Sequence, residues 1–410
     1  MTDRPRHAAM EQFPVRDGQL LVGGKGVVSL LQGQIATPLY LYDKGAITGR
    51  VASLRSRLPD TVKLHYAVKA NPMPELVSHM CRICDGLDVA SCGELQLSLD
   101  AGAIGERISF AGPGKRDSEL RTAIEAGVII SLESPSEMER TARIGSELEI
   151  TPRVAVRVNP AFELRASGMK MGGGAKPFGI DEERVPEILE RLALLPLSFK
   201  GFQIFSGSQC LNAAAIIEAH DRTFDLAFRL AEDAPGPVEW LNIGGGLGIP
   251  YFPGEARLDP AAILTNLSRH AEKCKDALPD ADIVLELGRY LVGEAGIYIC
   301  RIIDRKISRG RIFLVTDGGM HHHLAASGNL GQVIRKNYPV VPLAKMDIEP
   351  CEEVTIVGPL CTPLDILADR VPMPRLQPGD LIGVLQSGAY GRSASPIGFL
   401  GHPLPDEIFV

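Results

Sequence analysis

Short apolar runs recur along the first 290 residues, and each ends in a polar or glycine-rich turn. Eight such runs stand out: 64–69 (LHYAVK), 86–91 (GLDVAS), 108–113 (ISFAGP), 128–134 (VIISLES), 153–160 (RVAVRVNP), 199–207 (FKGFQIFSG), 238–246 (VEWLNIGGG) and 282–289 (DIVLELGR). Stretches between them place apolar residues at helical spacing and predict helices over 74–83, 93–99, 182–194, 213–231 and 260–277. Near-continuous apolar strands alternating with amphipathic helices imply a parallel sheet covered by helices. Eight units over this span fit a closed (β/α)8 TIM barrel, with an open doubly wound sheet as the rival.

After about residue 292 helical periods fade, and short strand-like runs appear between Pro and Gly turns. A second, β-rich domain of barrel or sandwich type is expected there. The strand-like start of the chain joins it in this reading. The expected division is a barrel over 44–291 and a β-rich domain made of 12–43 plus 292–410.

Composition narrows the function. The chain has 410 residues, 45% apolar and 23% charged, with a formal net charge of −7. An acidic chain without a basic tract is a poor nucleic-acid binder, so no nucleic-acid partner is expected. No apolar run approaches the roughly 20 residues of a membrane span, and the first residues lack the apolar core of a signal peptide. A cytoplasmic protein with no membrane partner is expected. The 8 cysteines are then expected as thiols. Cys81-Arg-Ile-Cys84 has no second CxxC and reads as two helix thiols.

Working residues of such barrels sit at the carboxyl ends of the strands. In order those ends offer Lys69, Asp88, Ser208, Gly244–Gly246 and Glu286-Leu-Gly-Arg289. A lysine ending an apolar strand fits either a snorkelling side chain or a Schiff-base nucleophile activated by desolvation. The glycines after the seventh strand and Gly288-Arg289 after the eighth occupy the loops where barrels hold phosphate.

Five motifs occur in this order: Tyr66-Ala-Val-Lys-Ala-Asn-Pro72, Gly244-Gly-Gly246, Glu286-Leu-Gly-Arg289, Gly358-Pro-Leu-Cys361 with Asp365, and Ser387-Gly-Ala-Tyr390. Together they resemble the decarboxylases that use pyridoxal 5'-phosphate (PLP) and share the alanine-racemase-like fold, fold type III. That family includes ornithine, arginine and diaminopimelate decarboxylases. Gly207-Ser-Gln209 and Gly179 favour the diaminopimelate branch.

The resemblance implies roles. Lys69 would carry PLP covalently, and Glu286 would keep the pyridine nitrogen protonated. Ser208, the backbone of Gly244, Gly245 and Gly246, Gly288, Arg289 and Tyr390 would bind the cofactor, with Asp88 supporting Lys69. Cys361 would act as general acid from the partner of a homodimer with shared active sites, beside Asp365.

Two departures from the family pattern matter, and the second concerns the substrate. The family's histidine on the PLP face is replaced by Phe205. The acid that binds a distal amine is replaced by Thr362, which forgoes a charge-assisted bond worth about 1.5–3 kcal/mol. Arg335 and Tyr338 are the candidates for the remaining substrate contacts, with Arg289. Three adjacent histidines, 321–323, cannot easily turn to one ion, so no metal is expected. The Thr-Pro after the cysteine is similar to decarboxylases of carrier-protein-tethered aminoacyl groups. The expectation is an α-decarboxylase whose amino-acid substrate lacks a distal ammonium and can be tethered in that way. The alternatives are a meso-diaminopimelate decarboxylase making L-lysine, an amino-acid racemase, a non-catalytic homologue, and a sugar-phosphate enzyme sharing only the barrel.

Overall fold

The computed structural model describes residues 5–31 and 36–410. Two compact units divide the chain: one is Val51–Ile249 with Leu258–Tyr290, the other Met1–Arg50 with Pro250–Arg257 and Leu291–Val410.

The first unit is the barrel. Its strands are β1 (Val62–Ala67), β2 (Gly86–Val89), β3 (Ile108–Phe110), β4 (Ile129–Leu132), β5 (Arg153–Asn159), β6 (Ser198–Ile204), β7 (Trp240–Asn242) and β8 (Asp282–Leu287). All neighbours pair in parallel, β8 joins β1, and a β4–β5 pairing completes the ring. The open doubly wound sheet is thereby excluded, because that fold leaves two unpaired edges. Each strand falls on one of the eight apolar runs. These residues are buried on both faces, so they carry little polar alternation.

The intervening helices begin where the sequence supplies caps. Helix α1 spans Pro74–Ile83, with proline in its first turn. Ser91 caps α2 (Cys92–Asp100) by accepting from Glu94 N, while the Glu94 side chain accepts from Ala90 N. Ser134 likewise caps α3 (Pro135–Leu148) through Glu137 N. Such reciprocal bonds satisfy the orphan amides of a helix start. The turns before α2 and α3 are thus fixed locally, which sets where the strand ends beside them stand.

In the second unit, β9 (Gly296–Ser308) is the spine. Its first half pairs with strand Leu39–Tyr42 and with Leu381–Val384; its second half pairs with β10 (Arg311–Thr316). β11 (Glu352–Val357) runs parallel to β10, and β12 (Ile366–Met373) is antiparallel to β11. Phe13, Leu20, Val22, Leu39 and Leu41 share a core with Ile297, Ile299, Leu343 and Leu381. The start of the chain therefore packs into the β-rich unit through its apolar side chains.

Candidate active site

β1 ends in a tight turn, Val68–Ala70, that holds Lys69. The next residue, Asn71, bonds Met73 N through its side chain and receives the Tyr66 hydroxyl on its carbonyl. These bonds fold the chain back into α1 and leave the lysine at the strand mouth.

Asp88 and Glu286 stand on the two strands that flank β1. The Lys69 ammonium lies 3.0 Å from Glu286 Oε1 and 3.2 Å from Asp88 Oδ2. Asp88 is fully buried and receives a hydrogen bond from Ser109 Oγ at 3.0 Å. Glu286 is buried, and its other oxygen accepts from Gln203 Nε2 and Asn242 Nδ2, both at 3.1 Å.

The two carboxyls behave differently. Burial, followed by the neighbouring Glu286 charge, raises the Asp88 pKa. Burial also acts against an ionised Glu286, but the Lys69 ammonium and the hydrogen bonds around Glu286 outweigh it and hold its pKa low. One carboxyl is poised to keep a proton and the other to keep a charge.

The glycine turn after β7 is shaped by crowding. A side chain at Gly245 would fall 2.1 Å from the Glu286 carbonyl, and one at Gly244 would strike the Phe205 ring at 2.8 Å. Gly244 also has a φ of 69°, the left-handed region that favours glycine. Asn242 Oδ1 accepts from Gly244 N at 2.8 Å, so one amide side chain holds both the turn and Glu286. Phe205 follows β6, with its ring centroid 6.0 Å from the Lys69 ammonium.

The other sequence-predicted residues are placed as follows. Ser208 lies in a two-stranded ribbon, Gly207–Cys210 against Ser167–Lys170. Gly288 follows β8, and Arg289 opens the short helix Arg289–Val292. Cys361, Thr362, Asp365, Arg335, Tyr338 and Tyr390 belong to the β-rich unit. Cys361 is exposed, whereas Asp365 is buried and accepts from Met320 N at 2.6 Å and Leu360 N at 2.9 Å. Arg335 donates to the carbonyls of Ser327 and Ile366. Tyr338 packs among Tyr251, Phe252 and His323. The rings of His321 and His322 lie 3.7 Å apart, while His323 Nε2 bonds Ser387 Oγ at 2.9 Å.

Gln203, Asn242 and Ser109 were not singled out from sequence for these contacts. A signal existed, since an amide inside an apolar strand is costly without a partner. What the sequence lacked was the identity of that partner.

A profile of the pyridoxal-binding domain of pyridoxal-dependent decarboxylases matches residues 44–293. The chain belongs to this family and is a PLP-dependent decarboxylase. It is 39% identical to the L-glutamyl-[BtrI acyl-carrier protein] decarboxylase of Niallia circulans, over 93% of this chain and 90% of that one. It is 32% identical to the diaminopimelate decarboxylase of Aquifex aeolicus, over 93% and 88% respectively. The crystal structure of diaminopimelate decarboxylase from Helicobacter pylori complexed with L-lysine superposes with a TM-score of 0.81, at 26% identity and 93% coverage of each chain.

Proposed function

We propose that the protein removes the α-carboxylate of an amino acid tethered as a thioester to a carrier protein, using PLP bound at Lys69. Since the α-carboxylate must be free to leave, the tether runs through the side-chain carboxyl. The observation that carries this reading is the 39% identity to the carrier-protein glutamyl decarboxylase over nine-tenths of both chains. The half-buried, neutral Thr362 after Cys361 supports it, because nothing at that position draws a distal ammonium.

The barrel site has the donors that the cofactor requires. An amine stands between two buried carboxyls, beside a turn with no room for Cβ atoms. When bound, PLP supplies an electron sink for the pair left as the Cα–carboxylate bond breaks. Lys69 provides the nitrogen that attaches it. Asp88, 3.2 Å from the Lys69 nitrogen, holds that nitrogen in place. Glu286, held ionised, fixes a proton on the ring nitrogen, and Gln203 and Asn242 keep its carboxylate in place. Phe205, its ring 6.0 Å from the Lys69 ammonium, would pack beside the cofactor. Ser208, the amides of Gly244–Gly246, Gly288 and Arg289 would hold the phosphate end.

Cys361 returns a proton to Cα, as general acid from the partner of a homodimer. Its exposure in the single chain supports a role at a partner's site. A mixture of K69A and C361A subunits should therefore regain activity that neither variant has alone. A cytoplasmic location fits the 8 free cysteines among the described residues.

The test of the substrate is turnover of carrier-tethered glutamyl or a related group beside free meso-diaminopimelate, lysine and ornithine. Efficient turnover of meso-diaminopimelate alone would overturn the tethered reading. It would support the second one, a decarboxylase making L-lysine, which the 32% identity to the Aquifex enzyme favours.

A further inference from the structure

The β-rich unit has a cleft of about 490 Å³ lined by Arg335, Lys336, Asn337, Asp369 and Arg370, with Pro5 and Pro253 at its rim. Three of these side chains are cationic and one is anionic. The Asp369 carboxylate is already engaged, by Arg311 Nη2 at 2.8 Å, Arg370 Nε at 3.3 Å and the Thr355 hydroxyl at 2.9 Å. Among the described residues Arg335 donates only to backbone carbonyls and Lys336 forms no ion pair, its ammonium standing 5.7 Å from the Phe252 ring centroid. A local excess of positive charge in a chain of net charge −7 points to an anionic ligand.

The cleft is also built rather than accidental. Asn337 and Asp369 exchange side chain-to-backbone hydrogen bonds of 2.8 and 2.9 Å, which lock its two walls together. Arg370 sits at a φ of 49°, a strained conformation for a residue with a side chain. Arg335 Nη2 holds the Ile366 carbonyl at 2.8 Å, and Asn329 Nδ2 holds the Leu364 carbonyl at 3.2 Å. Arg335 thus fastens one wall of the cleft to the start of β12, the strand that follows the loop carrying Cys361.

Resting on the tethered-substrate reading above, we propose that this cleft binds the phosphodiester of the phosphopantetheine arm on which a carrier protein holds the aminoacyl group. Guanidinium and ammonium groups pair well with phosphate oxygens. The site would grip the arm at its phosphate and leave the thioester end free to reach the chemistry.

The test compares the wild-type holoenzyme with K336E/R370E, both side chains being at the surface. Two substrates carry the same aminoacyl thioester, one on the phosphopantetheinylated carrier and one on a short thiol without phosphate. The variant is expected to raise KM for the carrier substrate by at least about tenfold, since it removes two charge-assisted contacts and each is worth about that factor. Its kcat, and its KM for the short thioester, stay unchanged. An unchanged KM for the carrier substrate overturns the proposal. Free 4'-phosphopantetheine should inhibit the wild type and lose potency on the variant. Equal loss of inhibition with a carrier lacking the arm overturns it too, since the cleft would then read the carrier's own acidic surface. If the wild type turns over neither thioester, the tethered reading fails instead. Titration with 4'-phosphopantetheine then decides the cleft: binding weakened by the charge reversal upholds a phosphate-ester site, and no binding overturns it.

Discussion

At the carboxyl end of the barrel, Lys69 faces two carboxylates whose side chains are 0% and 2% exposed. At the amino end, Lys63 pairs with Asp282 and Lys200 with Glu239, and both carboxylates there are about half exposed. That end also has a cavity, of about 480 Å³, lined by charges of both signs around Trp240 and His65. The same strands thus end in few, buried and converging charges on one side, and in many, wet and locally balanced ones on the other. Buried charges feel a low dielectric, so their protonation states move far from ordinary values. Exposed pairs are screened and do little beyond solvating the rim. A charged cavity is by itself no sign of chemistry; the carboxyl end is marked by burial and convergence.

Predictions follow from breaking each side of this contrast. The largest effect belongs to Lys69→Ala, which should cost at least about 10³-fold in decarboxylation rate and abolish the visible absorbance that borohydride bleaches. Glu286→Gln should lower kcat by about 100-fold or more while the protein still binds PLP, as read by absorbance and steady-state rates. Gln203→Leu removes one hydrogen bond from the Glu286 carboxylate. The acid limb of its kcat–pH profile should move up by about 1 to 2 pH units.

Stability should depend on pH through buried imidazoles. Burial lowers His65 and His220 from 6.5 to about 4. Both are neutral when folded, so the unfolded chain binds more protons between those values. Stability therefore falls as pH drops from 6.5 towards 4, and is level in this respect above 6.5. His65→Gln should flatten that slope by up to about 1.4 kcal/mol per pH unit, followed by the fluorescence of the lone Trp240. The smallest effect is expected from Lys200→Ala at the amino end. It should cost below about 1 kcal/mol in denaturant unfolding and leave the rate unchanged, in contrast to every change at the carboxyl end.

Much of this is legible in the sequence. The eight strands lie on eight apolar runs because burial on both faces leaves an unbroken apolar signature. Lys69, Asp88 and Glu286 were legible as polar residues near the ends of such runs. Gln203 and Asn242 were not, because the contact that matters joins β6 and β7 to β8, and strand spacing alone does not give the direction of an amide. The basic cleft also escaped, since Arg335 and Arg370 are far apart in sequence and neither forms a motif.

The sequence by itself determined the strand count, the order of motifs and the residue types at the strand ends, since these follow from local hydrophobic pattern and turn chemistry. Tertiary structure alone decided which carboxyl keeps its charge and which keeps its proton. Both Asp88 and Glu286 are buried acids beside one lysine. The Lys69 ammonium, then the hydrogen bonds around Glu286, favour its ionised form, and burial beside that charge raises Asp88. Protonation follows from distances between groups far apart in the chain, and those distances exist only once the ring has closed.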